Sequence, residues 1–66
     1  MCESKAILIK NNTEETLLND VILLEKEGPK YVLYNIEGKK LVLSEEYTLV
    51  KIDFLKHTIF FAGHVK

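Results

Sequence analysis

The residues best suited to chemistry lie at the start of the chain, which opens Met-Cys-Glu-Ser. Cys2 is the only cysteine, and its thiolate is a soft ligand of the kind that Ni(II), Zn(II) or Cu(I) accepts. Because the second residue is small, we expect cellular processing to remove Met1. Cys2 would then carry a free amine and a thiol, which together can chelate one metal ion. One cysteine cannot complete such a site, so a second thiolate would have to come from another subunit.

Two histidines are the other candidate ligands. His57 falls in a predicted tight turn, where a solvated surface residue is the simpler interpretation and a metal ligand is the alternative. His64 follows the last predicted strand. If that strand runs antiparallel beside the first one, residues near 64 lie near residue 4, and His64 could approach Cys2. A solvated tail histidine remains the alternative for His64, and an inert thiol is the alternative for Cys2.

Motifs of the common enzyme classes are absent from the sequence. It contains no P-loop, no G-x-G-x-x-G, no C-x-x-C and no H-E-x-x-H. The adjacent pairs Glu14-Glu15 and Glu45-Glu46 are interpreted as solvated charges, because neighbouring strand residues point to opposite faces. A Cys–His nucleophile would need a third, orienting group and a cleft, for which 66 residues leave little room. We therefore expect that the protein is not an enzyme.

The composition predicts a single domain over residues 1–66. A chain this short buries only about 60% of the surface that its unfolded form exposes, so a homodimer is the expected source of further burial. The net charge is −1 and all nine cationic residues are lysine, which disfavours nucleic-acid binding. No apolar run approaches the roughly 18 residues of a membrane helix, and no signal peptide is recognisable. With one free thiol, this predicts a cytoplasmic protein.

Short strand-like segments recur along the chain, separated by turn residues. The predicted strands cover residues 5–10, 30–36, 40–44, 47–54 and 58–63. Asn11-Asn12 and Gly38 mark turns, because these residue types tolerate left-handed backbone conformations. Five or six short strands predict an all-β fold, a small barrel or rolled sheet.

Residues 13–27 admit two interpretations. A helix is favoured by a Thr-Glu-Glu start, a Gly-Pro stop and four aliphatic residues at helical spacing, namely Leu17, Leu18, Val21 and Ile22. The alternative divides the segment at Asn19-Asp20 into two strands. The local pattern does not decide between them.

The clearest period-two pattern of the chain lies in residues 47–54. Lys51 and Asp53 are predicted to face solvent. The side chains predicted to face the core are those of Thr48, Val50, Ile52 and Phe54.

Several short motifs together resemble the CooT family, small proteins named after a nickel-binding accessory protein of carbon monoxide dehydrogenase. These motifs are Met-Cys-Glu-Ser directly before an aliphatic strand, the Asn19-Asp20-Val21 step, the Gly38 turn, and Ile-Asp-Phe-x-x-His-x-Ile at residues 52–59. The resemblance covers nearly the whole chain. It implies a homodimer of small SH3-like barrels, each with five to six antiparallel strands. It also implies strands broken near Asn19, rather than a helix.

The resemblance further implies a function. The founding member binds Ni(II) through the cysteine of its Met-Cys start, which corresponds to Cys2. We therefore expect a metallochaperone-like protein in which Cys2 from two subunits shares one Ni(II) and a backbone nitrogen of Cys2 or Glu3 joins the ligand set. The Glu3 side chain is expected to be a solvated charge, and His64, which has no counterpart in the family pattern, is a candidate added ligand.

The resemblance suggests carbon monoxide dehydrogenase as the client of such a protein. Many relatives have instead been labelled predicted RNA-binding proteins. A small RNA-binding module, or an SH3-like module for protein partners, is therefore the alternative function.

Overall fold

The computed structural model describes residues 3–63, which form six β-strands in one sheet. The strands are β1 Ser4–Lys10, β2 Thr13–Glu27, β3 Lys30–Asn35, β4 Lys40–Leu43, β5 Tyr47–Asp53 and β6 Thr58–Gly63. Residues 3–63 contain no helix, and hence none that is long and apolar enough to cross a membrane. The predicted all-β fold, a small SH3-like barrel of five to six antiparallel strands, is confirmed in its strands and curled sheet, except that β1 and β6 pair in parallel.

The sheet has the strand order β4-β3-β2-β1-β6-β5 and curls into a half-barrel. β2 is its longest strand, and it pairs with β1 through its first half and with β3 through its second half. Leu43 on one edge strand and Leu49 on the other pack on the same core, which requires the sheet to curl. The short turn at residues 44–46 connects these two edges.

The helix interpretation of residues 13–27 is wrong, because Thr13–Glu27 is a single strand of 15 residues. The break that the family resemblance implied near Asn19 is a bend within this strand. Asp20 has a φ of 57° at the bend, and the pairing with β3 shifts register between Val21 and Leu23. The segment forms a strand despite its helix propensity because β1 and β3 satisfy its backbone hydrogen bonds. The local sequence pattern does not reveal this pairing.

The core lies on the concave side of the curled sheet and draws on five of the six strands for its buried members. These members are Ala6, Leu8, Leu18, Val21, Leu33, Leu43, Ile59 and Phe61. The rings of Tyr31 and Phe61 pack edge to face, with centroids 5.5 Å apart and an interplanar angle of 65°. Tyr47 and Leu49 of β5 pack against the same cluster.

The predicted inward face of β5 is wrong for Thr48 and Val50, whereas Ile52 pairs with the core residue Ile59 and so points to the core side of the sheet without being buried. The side chains expected in the core are exposed, namely Thr48, Val50 (50% exposed), Ile52 (38%) and Phe54 (80%). The pairing with β6 shifts register between Leu49 and Lys51, which inserts one extra residue into β5. Such a bulge changes which alternate residues face the core, and no period-two pattern reveals it.

β6 runs parallel to β1, so the antiparallel arrangement considered for His64 is wrong. The register runs from Lys5 beside Thr58 to Ile9 beside Ala62. Five reversing turns would have made β1 and β6 antiparallel. The turn at residues 44–46 instead carries the chain from one edge of the sheet to the other, and this changes the direction of every later strand.

Candidate metal centre

The candidate site lies at the start of β1. Cys2 is outside the described residues, but it is bonded to Glu3, which is half-buried and directly precedes the strand. Consecutive Cα atoms lie about 3.8 Å apart, so the position of Glu3 fixes where Cys2 joins the molecule. Ser4 begins β1 and pairs with Val21 of β2, on the far side of the bend at Asp20.

The parallel pairing brings a histidine to this end of β1, and that histidine is His57. The backbone N–H of Lys5 donates a hydrogen bond to the carbonyl oxygen of His57 at 2.9 Å. His57 has a φ of 51°, and its side chain is exposed. The sequence offers no signal for this proximity, because it depends on the direction of β6.

The turn that presents His57 is held by local hydrogen bonds. The N–H of Lys56 donates to Oδ1 of Asp53 at 3.0 Å, and Oγ1 of Thr58 donates to the carbonyl oxygen of Lys56 at 2.9 Å. Together with the bond from Lys5, these contacts fix the backbone on both sides of His57. The imidazole is therefore attached to a well-defined part of the surface.

His64, the other predicted histidine ligand, lies outside the described residues. Its neighbour Gly63 ends β6 and packs against Leu8 and Tyr47. Ala62 pairs with Ile9, so the last residues of β6 lie beside the end of β1 and away from its start. The register thus separates Gly63 from Glu3, whereas it brings His57 close to Lys5.

A polar cleft of about 290 Å³ opens beside the start of β1. Glu3, Ser4, Asp20, Lys56 and His57 contribute to its walls. Within residues 3–63, no group of three or more His, Cys, Asp or Glu side chains is close enough to hold a metal ion. A metal site here would therefore need donors beyond these side chains, and the thiol of Cys2 and backbone nitrogens are the available ones.

An apolar groove of about 160 Å³ also includes Ser4 in its walls. Ile22 and Leu23 contribute from β2 just after its bend, and Ile52 and Phe54 contribute from β5 and the turn that follows it. The start of β1 thus borders a polar cleft and an apolar groove. The groove is not evident from the sequence, because the period-two pattern of β5 predicts that Ile52 and Phe54 face the core.

Comparisons with known proteins agree with this fold. The family described as CO dehydrogenase accessory protein CooT matches residues 1–62. Among solved structures, that of a candidate CooT from Carboxydothermus hydrogenoformans superposes with a TM-score of 0.85 at 23% sequence identity, and the match covers 97% of this chain and 100% of that one. No curated protein matches the chain.

Proposed function

The chain belongs to the CooT family of CO dehydrogenase accessory proteins, and we propose that it binds Ni(II) for the maturation of carbon monoxide dehydrogenase. The observation that carries this proposal is the family match, which spans residues 1–62 and so includes the single cysteine of the chain. The family is one of accessory proteins rather than catalysts. This agrees with a sequence that lacks the common catalytic motifs.

The proposed site holds one Ni(II) between two subunits, with Cys2 of each subunit as the principal ligand. Two thiolates and two terminal or backbone nitrogens, from Cys2 or Glu3, would form the tetragonal nitrogen–sulfur set that Ni(II) accepts, whereas zinc prefers a tetrahedral set. Glu3 supports this arrangement because its backbone lies directly beside Cys2 at the start of β1. Its side chain is not required as a ligand.

His57 and His64 are the two candidates for an additional nickel ligand. Ile9, which pairs with Ala62, lies about 17 Å along the strand from Ser4, at 3.3 Å per residue. A contribution from His64 is therefore best explained if it comes from the partner subunit. His57 can approach the site from the same chain, because its backbone already bonds to Lys5.

The proposal also accounts for the delivery of nickel to a client enzyme. Lys5, Asp20 and His57 are exposed around the start of β1, so a client enzyme can reach this end of the sheet. Thiolate ligands must remain reduced, which makes the cytoplasm the compartment in which the protein would act.

Binding to nucleic acid is the alternative function, and two lysine–aromatic contacts are its support. Nζ of Lys51 lies 4.9 Å from the ring centroid of Phe60, and Nζ of Lys40 lies 5.9 Å from that of Tyr34. One pair lies on β5 and β6 and the other on β3 and β4, at the two edges of the sheet. RNA binding would weaken steeply as salt rises, whereas thiolate coordination responds mainly to pH.

The decisive experiment is a nickel titration of the wild type beside Cys2→Ser, with removal of Met1 checked by mass spectrometry. Changing a residue that only supports a metal ligand costs about 10- to 100-fold in affinity, so loss of the ligand itself should exceed that range. The wild type should also show thiolate-to-metal charge-transfer absorption that the variant lacks. Equal affinity in the two proteins, without that absorption in either, contradicts the proposal.

A further inference from the structure

The turn between β3 and β4 is built around one buried asparagine. The backbone N–H of Asn35 donates to the carbonyl oxygen of Lys39, and the carbonyl oxygen of Asn35 accepts from the N–H of Gly38, each at 2.9 Å. The side-chain oxygen Oδ1 of Asn35 accepts from the N–H groups of Glu37 and Lys39 at 3.0 and 2.8 Å. The last two bonds fix the orientation of the side-chain amide, because only its oxygen can accept.

The amide nitrogen of the same side chain is open. Asn35 is 6% exposed, and its Nδ2 donates no hydrogen bond to another atom of residues 3–63. This part of the chain contains no fully buried side-chain nitrogen or oxygen without a partner, so Nδ2 is accessible through the cleft that Asn35 lines. Buried polar atoms are nearly always hydrogen-bonded. An open donor on a buried and fixed side chain therefore offers a preorganised contact to a ligand.

This second polar cleft has a volume of about 460 Å³ and lies between the β3–β4 turn and the bend of β2. The N–H of Ile36 donates to the carbonyl oxygen of Asp20 at 2.9 Å, which holds the turn against the bend. The side chains of Asp20, Glu37 and Lys39 are exposed and line the cleft. Within the described residues, Lys39 forms no ion pair with either carboxylate. The cleft thus presents two negative charges and one positive charge beside the open amide of Asn35.

The charges in the cleft define the charges of its ligand. A simple anion would be repelled by Asp20 and Glu37, and a simple cation would leave the donors of Asn35 and Lys39 without acceptors. A zwitterion satisfies both sets of groups. Its carboxylate would accept from Nδ2 of Asn35 and Nζ of Lys39, and its ammonium group would donate to the two carboxylates.

The apolar part of the wall defines the remainder of the ligand. Leu17 and Leu18 of β2 also line the cleft, and Leu17 is half-buried. An aliphatic side chain that packs there would be removed from water. The volume of about 460 Å³ lies within the usual range of small-molecule sites. We propose that this cleft binds an aliphatic α-amino acid in its zwitterionic form, an activity that is independent of the proposed nickel site.

Titration of the metal-free protein with L-leucine, followed by NMR of the isotope-labelled chain, tests the proposal. We expect a dissociation constant of about 1 mM or lower, with shifts concentrated at the side-chain amide of Asn35 and at the backbone of residues 16–20 and 35–39. N-acetyl-leucine lacks the ammonium group, and leucinamide lacks the carboxylate. Each should bind about tenfold more weakly or worse, because each loses its charge-assisted hydrogen bonds. Nickel is omitted because free amino acids chelate it.

Three substitutions remove contacts to the ligand but keep those that hold the turn. Asn35→Asp retains an oxygen for the two backbone donors and replaces Nδ2, whereas Lys39→Gln and Glu37→Gln each remove one charge. Each should weaken leucine binding by about fivefold or more. Lys40→Gln is the matched control, because Lys40 is exposed and adjacent in sequence but lies outside the cleft wall, with its Nζ 5.9 Å from the ring centroid of Tyr34. The control should change the affinity by less than about twofold.

Circular dichroism establishes which variants retain the β-fold. If Asn35→Asp does not fold, Lys39→Gln and Glu37→Gln decide the test, because their side chains are exposed. The proposal is overturned if leucine causes no saturable shifts, or if folded Lys39→Gln and Glu37→Gln bind it like the wild type. It is also overturned if N-acetyl-leucine or leucinamide binds as tightly as leucine, because the cleft would then not recognise a zwitterion.

Discussion

The two ends of β1 differ in how regularly the chain pairs. From Ile7 to Lys10 the register with β2 is continuous, and the hairpin closes through Asn11 and Asn12, which both have positive φ. At the start of β1 the register with β2 shifts between Ser4 and Ala6 and again between Ala6 and Ile7. The bend of β2 at Asp20 and the turn at His57 lie at the same end.

This difference indicates that one end of β1 mainly stabilises the sheet, whereas the other end positions the candidate site. Continuous pairing satisfies the backbone hydrogen bonds and holds the sheet together, but it restricts side chains to a strict alternation between the two faces of the sheet. Bulges and left-handed residues redirect side chains, and they are frequent beside functional sites. Glu3, which directly follows Cys2 in the sequence, and His57 belong to the irregular end.

Moving the thiol from one end of β1 to the other is the change with the largest expected effect. Cys2→Ser combined with Lys10→Cys retains one cysteine but places it at the exposed, regular end. We expect nickel affinity to stay more than about 100-fold below that of the wild type, because the chelating terminal nitrogen and the second thiolate are no longer nearby. A titration followed by thiolate-to-metal absorption measures this, and Lys10→Cys in the presence of Cys2 is the control. Nickel affinity equal to that of the wild type would show that binding does not depend on which end of β1 carries the thiol.

The next prediction concerns the dependence of nickel affinity on pH, which arises because protons compete with nickel for the thiols at the start of β1. Nickel must displace the thiol protons, and an ordinary thiol has a pKa of about 8.5. Below that pH, the affinity should therefore rise with pH by about tenfold per unit for each thiol that binds, and level off above it. Titrations between pH 6 and 9 measure the slope, and a slope for two protons per nickel supports the shared site. Affinity independent of pH would contradict thiolate binding.

The two histidines give a smaller and more specific test. His57→Asn retains a residue type that tolerates the positive φ at this position but removes the imidazole. If His57 supplies the added ligand, nickel affinity falls several-fold and the absorption spectrum shifts, while His64→Asn leaves both unchanged. The reverse result would assign the ligand to His64 and require the partner subunit. No change in either variant removes both histidines from the site.

The bend at Asp20 should cost stability when it is occupied by a residue that resists positive φ. Asp20→Ala should lower the free energy of unfolding by about 1 kcal/mol, whereas Asp20→Gly should stay within about 0.5 kcal/mol of the wild type. Urea unfolding measures both. Equal stability of the alanine and glycine variants would show that the bend is not strained.

The smallest effect is expected at the regular end. A Cβ at Gly63 would lie 3.5 Å from Cδ1 of Leu8 and 3.5 Å from Cε1 of Tyr47, which are ordinary contacts. Gly63→Ala should therefore change the free energy of unfolding by less than about 0.5 kcal/mol and leave nickel binding unaltered. A loss of several-fold in nickel affinity would connect this end of β1 to the site.

Local sequence patterns determined where the chain is extended and where it turns. The strands β1, β3, β4, β5 and β6 begin and end within one residue of their predicted bounds, since alternating apolar residues and turn formers act over a few positions. The candidate thiol and its neighbour Glu3 were also available from the sequence, because they follow from residue type and from the resemblance to the CooT family.

Tertiary structure decided which neighbours these segments meet. The continuity of β2, the exposure of Ile52 and Phe54, and the parallel direction of β6 each depend on a partner strand. One extra residue in a bulge, or one turn that does not reverse the chain, leaves local composition unchanged but alters which side chains meet. For this reason the sequence could name His57 and His64 as candidates, while only the parallel register of β1 and β6 placed His57 beside the start of β1.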